Sequence, residues 1–521
     1  MAGDRGVIVP CLLLRVGCGT VGEFPERGVP LSTILRRLPP DAATGLRTGA
    51  RHSLAELYRP ADLVVLGLGV MIGAGIFSIA GQQAATMAGP GVILSFMIAG
   101  IACLLACLCY AELSSTMPTS GSAYTFTYVI FGEVWAWIIG WALILELELA
   151  VAVVARAWAL ITVRAITGFG VRLPYPNVVE DVFVLFILVV LTSVVALNAR
   201  VGLRALWVMV AAKLVAIGAV IVVGARYVKV ANFGDLYTEP KPLTTPAATV
   251  LDIIVGQSHA FGWFGVFAAA SAIAFAYIGF DVVATAAEET VNASRAIPKG
   301  MIRSLVIATV IYLAVAVVMV GMIPYTGISP DSPLSSAFRV VGVDWMAHVI
   351  DIGAVLGLTT VILVLIVGQT RVLFSIARDG LMPRRLATIS RRYHTPTRVT
   401  LLIGVIAILL AELVPVLTLQ QLVVIGTLFA FMFVAAGVIV MRRRMPHLDR
   451  GFRVPLSPLL PALSLVATLW LMVNLQVLTW AWFALWMTFG LLVYLVYGRR
   501  HSLLAQPELP PLNHARGRHR R

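Results

Sequence analysis

Cysteine is scarce in this 521-residue chain, with five in all: Cys11, Cys18, Cys103, Cys107 and Cys109. The last three fall in one apolar stretch and no histidine stands near them at zinc-site spacing. A disulfide framework and a structural metal are thereby excluded, and the three read as small buried hydrophobes. Charge is also scarce, at 12% Asp, Glu, Lys and Arg. There is no phosphate-binding Gly-rich loop ending in Gly-Lys-Ser/Thr, no nucleophile elbow and no metal-ligand pair on a helix. An ATP-driven pump and a membrane hydrolase each need one of these. No catalytic residue, cofactor or metal is expected, and the chain does not read as an enzyme.

Apolar length is what the chain has in abundance. Its composition is 60% hydrophobic with a mean hydropathy of +0.94, which a soluble core of this size does not require. A bilayer-spanning helix needs about 20 apolar residues. Twelve such windows are expected, near 62–84, 91–114, 131–163, 180–198, 203–225, 262–286, 302–323, 346–377, 398–414, 420–441, 459–479 and 481–498. The expected fold class is therefore an all-α polytopic membrane protein. The net charge of +14 is unevenly placed. With the N-terminus inside, 31 Lys and Arg fall in inner segments or at the inner ends of spans and 6 in outer segments, while Arg156 and Lys213 lie deeper within spans. That asymmetry puts both termini in the cytoplasm. Arg442–Arg444 and Arg518–Arg521 then read as anchors beside anionic lipid, and nucleic acid is not expected as a partner.

Residues 1–53 are rich in Gly, Pro and Arg without a period, and are expected as a disordered cytoplasmic tail, or as a stretch preceding the true translation start. Residues 54–441 form the expected core of ten spans, 442–500 two further spans, and 501–521 a basic cytoplasmic tail. The longest outer loop, from Val228 to Ala260, is expected to hold a short helix after Thr249. Five spans per half would invert the second half relative to the first, as in many secondary transporters.

Two of the apolar windows carry glycine where a helix should be strongest. The first holds Ile72-Gly73-Ala74-Gly75-Ile76-Phe77 and the sixth Phe275-Ala276-Tyr277-Ile278-Gly279-Phe280-Asp281. Glycine weakens a helix, and inside a membrane the freed N–H and C=O groups need partners. If the helices open there, the N–H groups of Ala74, Gly75 and Ile76 become donors for a carboxylate. The carbonyls of Phe275, Ala276 and Ile278 become acceptors for an ammonium. The pair then describes a clamp for an α-amino acid at mid-bilayer. The alternative is close helix packing through small residues.

Ionisable residues inside spans are few. Lys213 sits near the centre of the fifth window, where an ammonium is costly, which makes it either a group that loads and releases a coupling proton or half of a structural ion pair. Glu146 and Glu148 lie two residues apart in the third, hence about 200° apart around the helix. Glu146 and Asp281 are candidates for contacts with the side chain of a cationic solute, or for pairing with Lys213 or Arg156.

Taken together, these residues resemble a known family. Gly67 through Phe77 is similar to the first span of the amino acid–polyamine–organocation permeases. Tyr110-Ala111-Glu112-Leu113-Ser114-Ser115, Pro118, Gly121-Ser122-Ala123-Tyr124 and Gly132-Glu133 resemble the signature between its second and third spans. Trp141 to Glu146, Trp158, Ala274 to Asp281, Glu288-Glu289, Ile297-Pro298 and Arg371 to Pro383 resemble the cationic amino acid transporter branch. The likeness runs over roughly residues 54–500.

The resemblance implies the LeuT-type fold of two inverted five-helix repeats plus two helices. It implies a substrate carboxylate at the backbone near Gly73, Ala74 and Gly75, beside Ile72, which is also expected in the binding site, and an amine at the carbonyls of Met71, Phe275, Ala276 and Ile278. In proton-coupled relatives a lysine of the fifth span fills the place of a cation, and Lys213 matches it; Glu146 matches the glutamate of the cationic branch. Glu148 and Arg156 depart from the family pattern. The function expected is proton-driven amino acid uptake, with arginine or lysine as first substrate and small neutral amino acids as second. An exchanger or polyamine carrier, or a sensor that binds without transporting, are the alternatives. Partners are then the solute, protons and the bilayer.

Overall fold

The computed structural model describes residues 36–40, 58–73, 75–197, 199–234, 238–242, 249–255, 259–329, 332–390, 392–393 and 395–505. Most of the expected N-terminal tail, the end of the C-terminal tail and Ala74 lie outside the described residues.

Among the described residues the regular structure is helical, apart from two-residue strands Lys241–Pro242 (β1) and His259–Ala260 (β2) that pair antiparallel. The helices that build the site are α1 (Pro60–Met71), α2 (Val92–Thr116), α3 (Ala123–Ile130), α4 (Glu133–Gly168), α5 (Pro176–Leu197) and α6 (Ala199–Gly224). There follow α7 (Val250–Val255), α8 (Gly262–Tyr277), α9 (Val282–Thr285), α10 (Ala293–Met322), α11 (Pro333–Val340), α12 (Asp344–Arg378), α13 (Thr397–Leu413), α14 (Val416–Arg444), α15 (Leu459–Val473) and α16 (Val477–Val493). The short helix expected after Thr249 is α7, whereas α3 lies in a stretch that the hydropathy windows leave as a connection.

Among the described residues nine segments are long and apolar enough to cross a membrane. One of them, Pro60–Thr116, contains two expected windows. The expected ninth and eleventh windows form helices of 17 and 15 residues. The polytopic all-helical class is as expected.

Burial separates core from periphery. The apolar stretch of α4 is 89% buried, against 28% for α5, 33% for α6 and 22% for the segment containing α16. The exposed faces of those outer helices are Val, Leu, Trp and Phe, a composition suited to hydrocarbon. α4 and α12 lie against each other at the centre, with α14 on α4 and α6 on α12. Charges match the dipoles of the long helices: Glu133 and Asp344 open α4 and α12, and Arg378 and Arg442–Arg444 close α12 and α14.

One end of the bundle is tied by ion pairs and is called the basic end below. There Glu112 takes Arg442 and Arg450, and the Glu133 carboxylate accepts from the hydroxyls of Tyr494 and Ser502. The backbone of Tyr58 pairs with Glu289 and Val291 on either side of Thr290.

Candidate solute-binding site

Both glycine-marked helices are interrupted. α1 stops at Met71, Ile72 turns out of helical geometry at ψ 89°, and the chain resumes as a widened turn over Gly75–Ile79. α8 stops at Tyr277, Ile278 is extended at ψ 137°, and Gly279 takes φ +117° before α9 begins. The two breaks are seated on each other. A Cβ at Gly75 would lie 2.2 Å from the Ala276 Cβ, and one at Gly279 would lie 2.2 Å from Val70 Cγ1. Glycine at 279 is thus required twice, for its left-handed backbone and for the crossing. Small-residue packing and open backbone, the two readings of the motif, occur together.

Several of the expected backbone donors and acceptors are already paired. The Ile76 N–H is not free, since it donates to Gly73 O at 3.2 Å, as does Phe77 at 3.3 Å. Among the described residues, no acceptor faces the N–H of Gly73 or Gly75. Of the four carbonyls expected for an amine, Phe275 O accepts from Ile278 N–H at 3.3 Å. Met71 O and Ala276 O lie 2.5 Å and 2.9 Å from the Tyr312 hydroxyl. Only Ile278 O has no donor among the described residues. Tyr312, on α10, was not singled out in the sequence. The available signal was a lone phenol in the apolar run Val310-Ile311-Tyr312-Leu313.

Lys213 on α6 is fully buried. Its ammonium donates to Gly69 O, Ile72 O and Thr360 Oγ1, each at 2.9 Å. All three protons are used and no carboxylate is involved, so the expected alternative of an ion pair does not hold. The acceptors are the carbonyls at the C-terminal end of α1, the negative end of its dipole, and a hydroxyl of α12. Lys213 therefore joins three helices at the first break.

The acidic residues divide. Asp281 Oδ1 accepts from Gly279 N–H at 3.0 Å, so it holds the second break in shape and pairs with neither Lys213 nor Arg156. Arg156 instead reaches Asp181 and Glu412. Glu148 accepts from Gln369 at 3.2 Å. Glu146 points elsewhere, as the 200° offset requires. It is fully buried, and among the described residues neither of its carboxyl oxygens has a hydrogen-bond partner.

A small cavity of about 20 Å³, room for a water-sized group, lies at the crossing. Val70, Met71 and Gly75 face it from the first break, Phe275 and Ile278 from the second, Ala150 and Val154 from α4, and Val361 and Leu365 from α12. Every one is apolar. Glu146 lies one helical turn from Ala150 but does not line the space, and neither does Asp281.

A second cavity of about 20 Å³ lies farther from the basic end. It is walled by Phe77 after the first break, Ile161 and Arg164 on α4, Ser335 on α11, and Asp351 and Ala354 on α12. Ile161 is seven residues beyond Val154, and Ala354 seven before Val361, so the spaces are stacked about 10 Å apart.

On the basic-end side of the crossing lie two ion pairs. Arg371 grips Glu289 with two bonds of 2.8 and 3.0 Å, and Arg378 reaches Glu288, which also accepts from Ser120. Burial would raise the Glu288 carboxyl, but the Arg378 guanidinium outweighs it and holds the group below its usual range. Beside it, burial pushes Asp379 up to about 6, and Tyr124 donates to that carboxyl at 2.8 Å.

The profile of the family described as amino acid permease matches residues 61–497. The chain is 40% identical over 471 residues to the branched-chain amino acid permease BcaP of Bacillus subtilis (strain 168), covering 88% of this chain and 96% of that one. It is 37% identical over 483 residues to the methylthioribose transporter of the same organism, covering 91% and 100%. It is 32% identical over 423 residues to the vacuolar cationic amino acid transporter 4 of Arabidopsis thaliana, covering 79% and 67%.

Proposed function

This chain belongs to the amino acid permease family, and from that premise we propose that it carries α-amino acids with apolar side chains, driven by protons and cycling by alternating access. It is a membrane transporter and not an enzyme. In this reading the chain has twelve spans in the LeuT-type arrangement, with both termini in the cytoplasm and the protein in the plasma membrane. The charge asymmetry along the sequence supports that orientation.

The observation that carries the substrate class is the cavity lining. Nine side chains or glycines surround it and none is ionisable. A guanidinium or ammonium side chain placed there would lose hydration without gaining a counter-charge. An aliphatic side chain buries at about 25 cal/mol per Å² of apolar surface. This supports apolar over cationic substrates. The name of the Bacillus subtilis branched-chain permease supports the same choice. The substrate carboxylate meets the open N–H groups of Gly73 and Gly75, and the ammonium meets the carbonyls of Met71, Ala276 and Ile278. Lys213 is the proton-coupling group, because its release of a proton would free carbonyls of the first break.

The test is the purified chain in liposomes with radiolabelled leucine, isoleucine, alanine, arginine and lysine, with and without an inward proton gradient. Leucine accumulating only under the gradient is the expected result. Accumulation of arginine with leucine ignored would restore the cationic reading, and uptake that needs internal amino acid but no gradient would make the chain an exchanger. The match to a methylthioribose transporter favours including that thioether sugar in the panel.

A further inference from the structure

We infer that the Tyr312 hydroxyl stands in for the substrate's ammonium group in the empty carrier, and thereby governs how readily the empty carrier resets for net uptake. The inference rests on the reading of the two breaks as an amino acid site.

Tyr312 is fully buried and belongs to α10, which contributes nothing to the cavity wall. Its ring is held between Phe96, with centroids 5.8 Å apart, and Tyr277, at 5.2 Å. This clamp aims the hydroxyl at Met71 O, 2.5 Å away, and Ala276 O, 2.9 Å away. Met71 is the last residue of α1, and Ala276 is the last but one of α8. The hydroxyl therefore touches the negative ends of two half-helix dipoles, where a cation is most favoured.

A phenol has one proton for these two acceptors, whereas an ammonium brings three protons and a full charge. An arriving amine therefore takes over the carbonyls, and the phenol oxygen, no longer donating, is left to accept. With no solute present, the hydroxyl is the donor that these two buried carbonyls share. Net uptake requires the empty carrier to pass through its closed form. Exchange does not, because the carrier crosses loaded in both directions. Removal of the hydroxyl should therefore burden the empty passage much more than the loaded one. It should also raise the free energy of the empty site, and so tighten amino acid binding.

The experiment compares unaltered protein with Tyr312→Phe in liposomes, and with Tyr312→Met should the Phe variant fail to reconstitute. Two rates are measured: leucine uptake into leucine-free liposomes and leucine uptake into leucine-loaded ones. The ratio of the first to the second should fall about tenfold, and leucine binding measured by calorimetry should tighten by about three- to tenfold. An unchanged ratio, a proportional fall in both rates, or weaker leucine binding would overturn the inference. Were the unaltered chain to bind no amino acid at all, the amino acid reading itself would fall instead.

Discussion

Replacing Lys213 with methionine removes a charge from the centre of the bundle while keeping nearly all of the side-chain volume. Two opposing terms set the effect on folding. The ammonium satisfies Gly69 O, Ile72 O and Thr360 Oγ1, and the single proton of the Thr360 hydroxyl is shared between Gly69 O at 3.0 Å and Gly357 O at 2.6 Å. The variant therefore leaves Ile72 O without a donor and Gly69 O only partly served, at a cost of roughly 1–3 kcal/mol for the bare carbonyl and less for the shared one. Against that, a lysine at mid-membrane costs at least about 2.5–3.5 kcal/mol, which the variant no longer bears. The terms nearly cancel, so Lys213→Met should fold and unfold within about 2 kcal/mol of the unaltered chain. Transport should change far more. With one proton per solute, a gradient of one pH unit supplies about 1.4 kcal/mol and sustains about tenfold accumulation. In liposomes the unaltered chain should approach that ratio for leucine, and Lys213→Met should stop near equal concentrations. A variant that still builds the tenfold gradient would refute the coupling role, and one that fails to fold would refute the energetic argument.

Other perturbations test other parts of the molecule. Gly75→Ala places a methyl 2.2 Å from the Ala276 Cβ, where carbon contacts sit at about 3.5–4.0 Å. The breaks must part, at about 1–3 kcal/mol, and calorimetry should find leucine affinity lowered by about tenfold or more. Unaltered affinity would contradict the crossing. Arg371→Met should destabilise by about 3–5 kcal/mol because Glu289 is left as a lone buried charge. The double variant Arg371→Met/Glu289→Met should recover most of that in detergent unfolding; equal loss in single and double variants would exclude the pair as the cause. Asp379 carries a pH prediction. With its carboxyl raised to about 6 from 3.8 by burial, the folded chain holds a proton that the unfolded chain has released. Stability should therefore fall as pH rises from about 4 to about 6, by up to roughly 3 kcal/mol. Asp379→Asn should flatten that slope of melting temperature against pH. Parallel slopes for variant and unaltered chain would refute the assignment.

Several features are legible in the sequence because they act along the chain. Hydropathy over about 20 residues marks a membrane helix wherever it folds. Glycine at 73, 75 and 279 weakens its own helix locally. The 200° offset of Glu146 from Glu148 is a property of helix geometry alone. Lys213 is conspicuous because its surroundings in sequence are hydrocarbon.

The partners of these groups are not legible in the same way. Tyr312 meets Met71 across 241 residues, and Lys213 meets Thr360 across 147. No local pattern encodes which hydroxyl will face which carbonyl. Asp281 and Glu146 both look in sequence like charges aimed at a solute. Packing gives one of them a backbone N–H two residues away and puts the other one turn off the cavity. The apolar wall is likewise assembled from four stretches of chain, each apolar for the membrane's sake on most of its faces. By itself the sequence determined that the chain crosses a membrane, where two of its helices open, and that a lysine lies buried among them. Tertiary structure decided which dipoles that lysine serves, which hydroxyl fills the breaks, and what kind of side chain the cavity favours. Burial and helix weakness are carried by each residue's own neighbours in sequence, whereas hydrogen-bond partners and cavity walls exist only where separate helices meet.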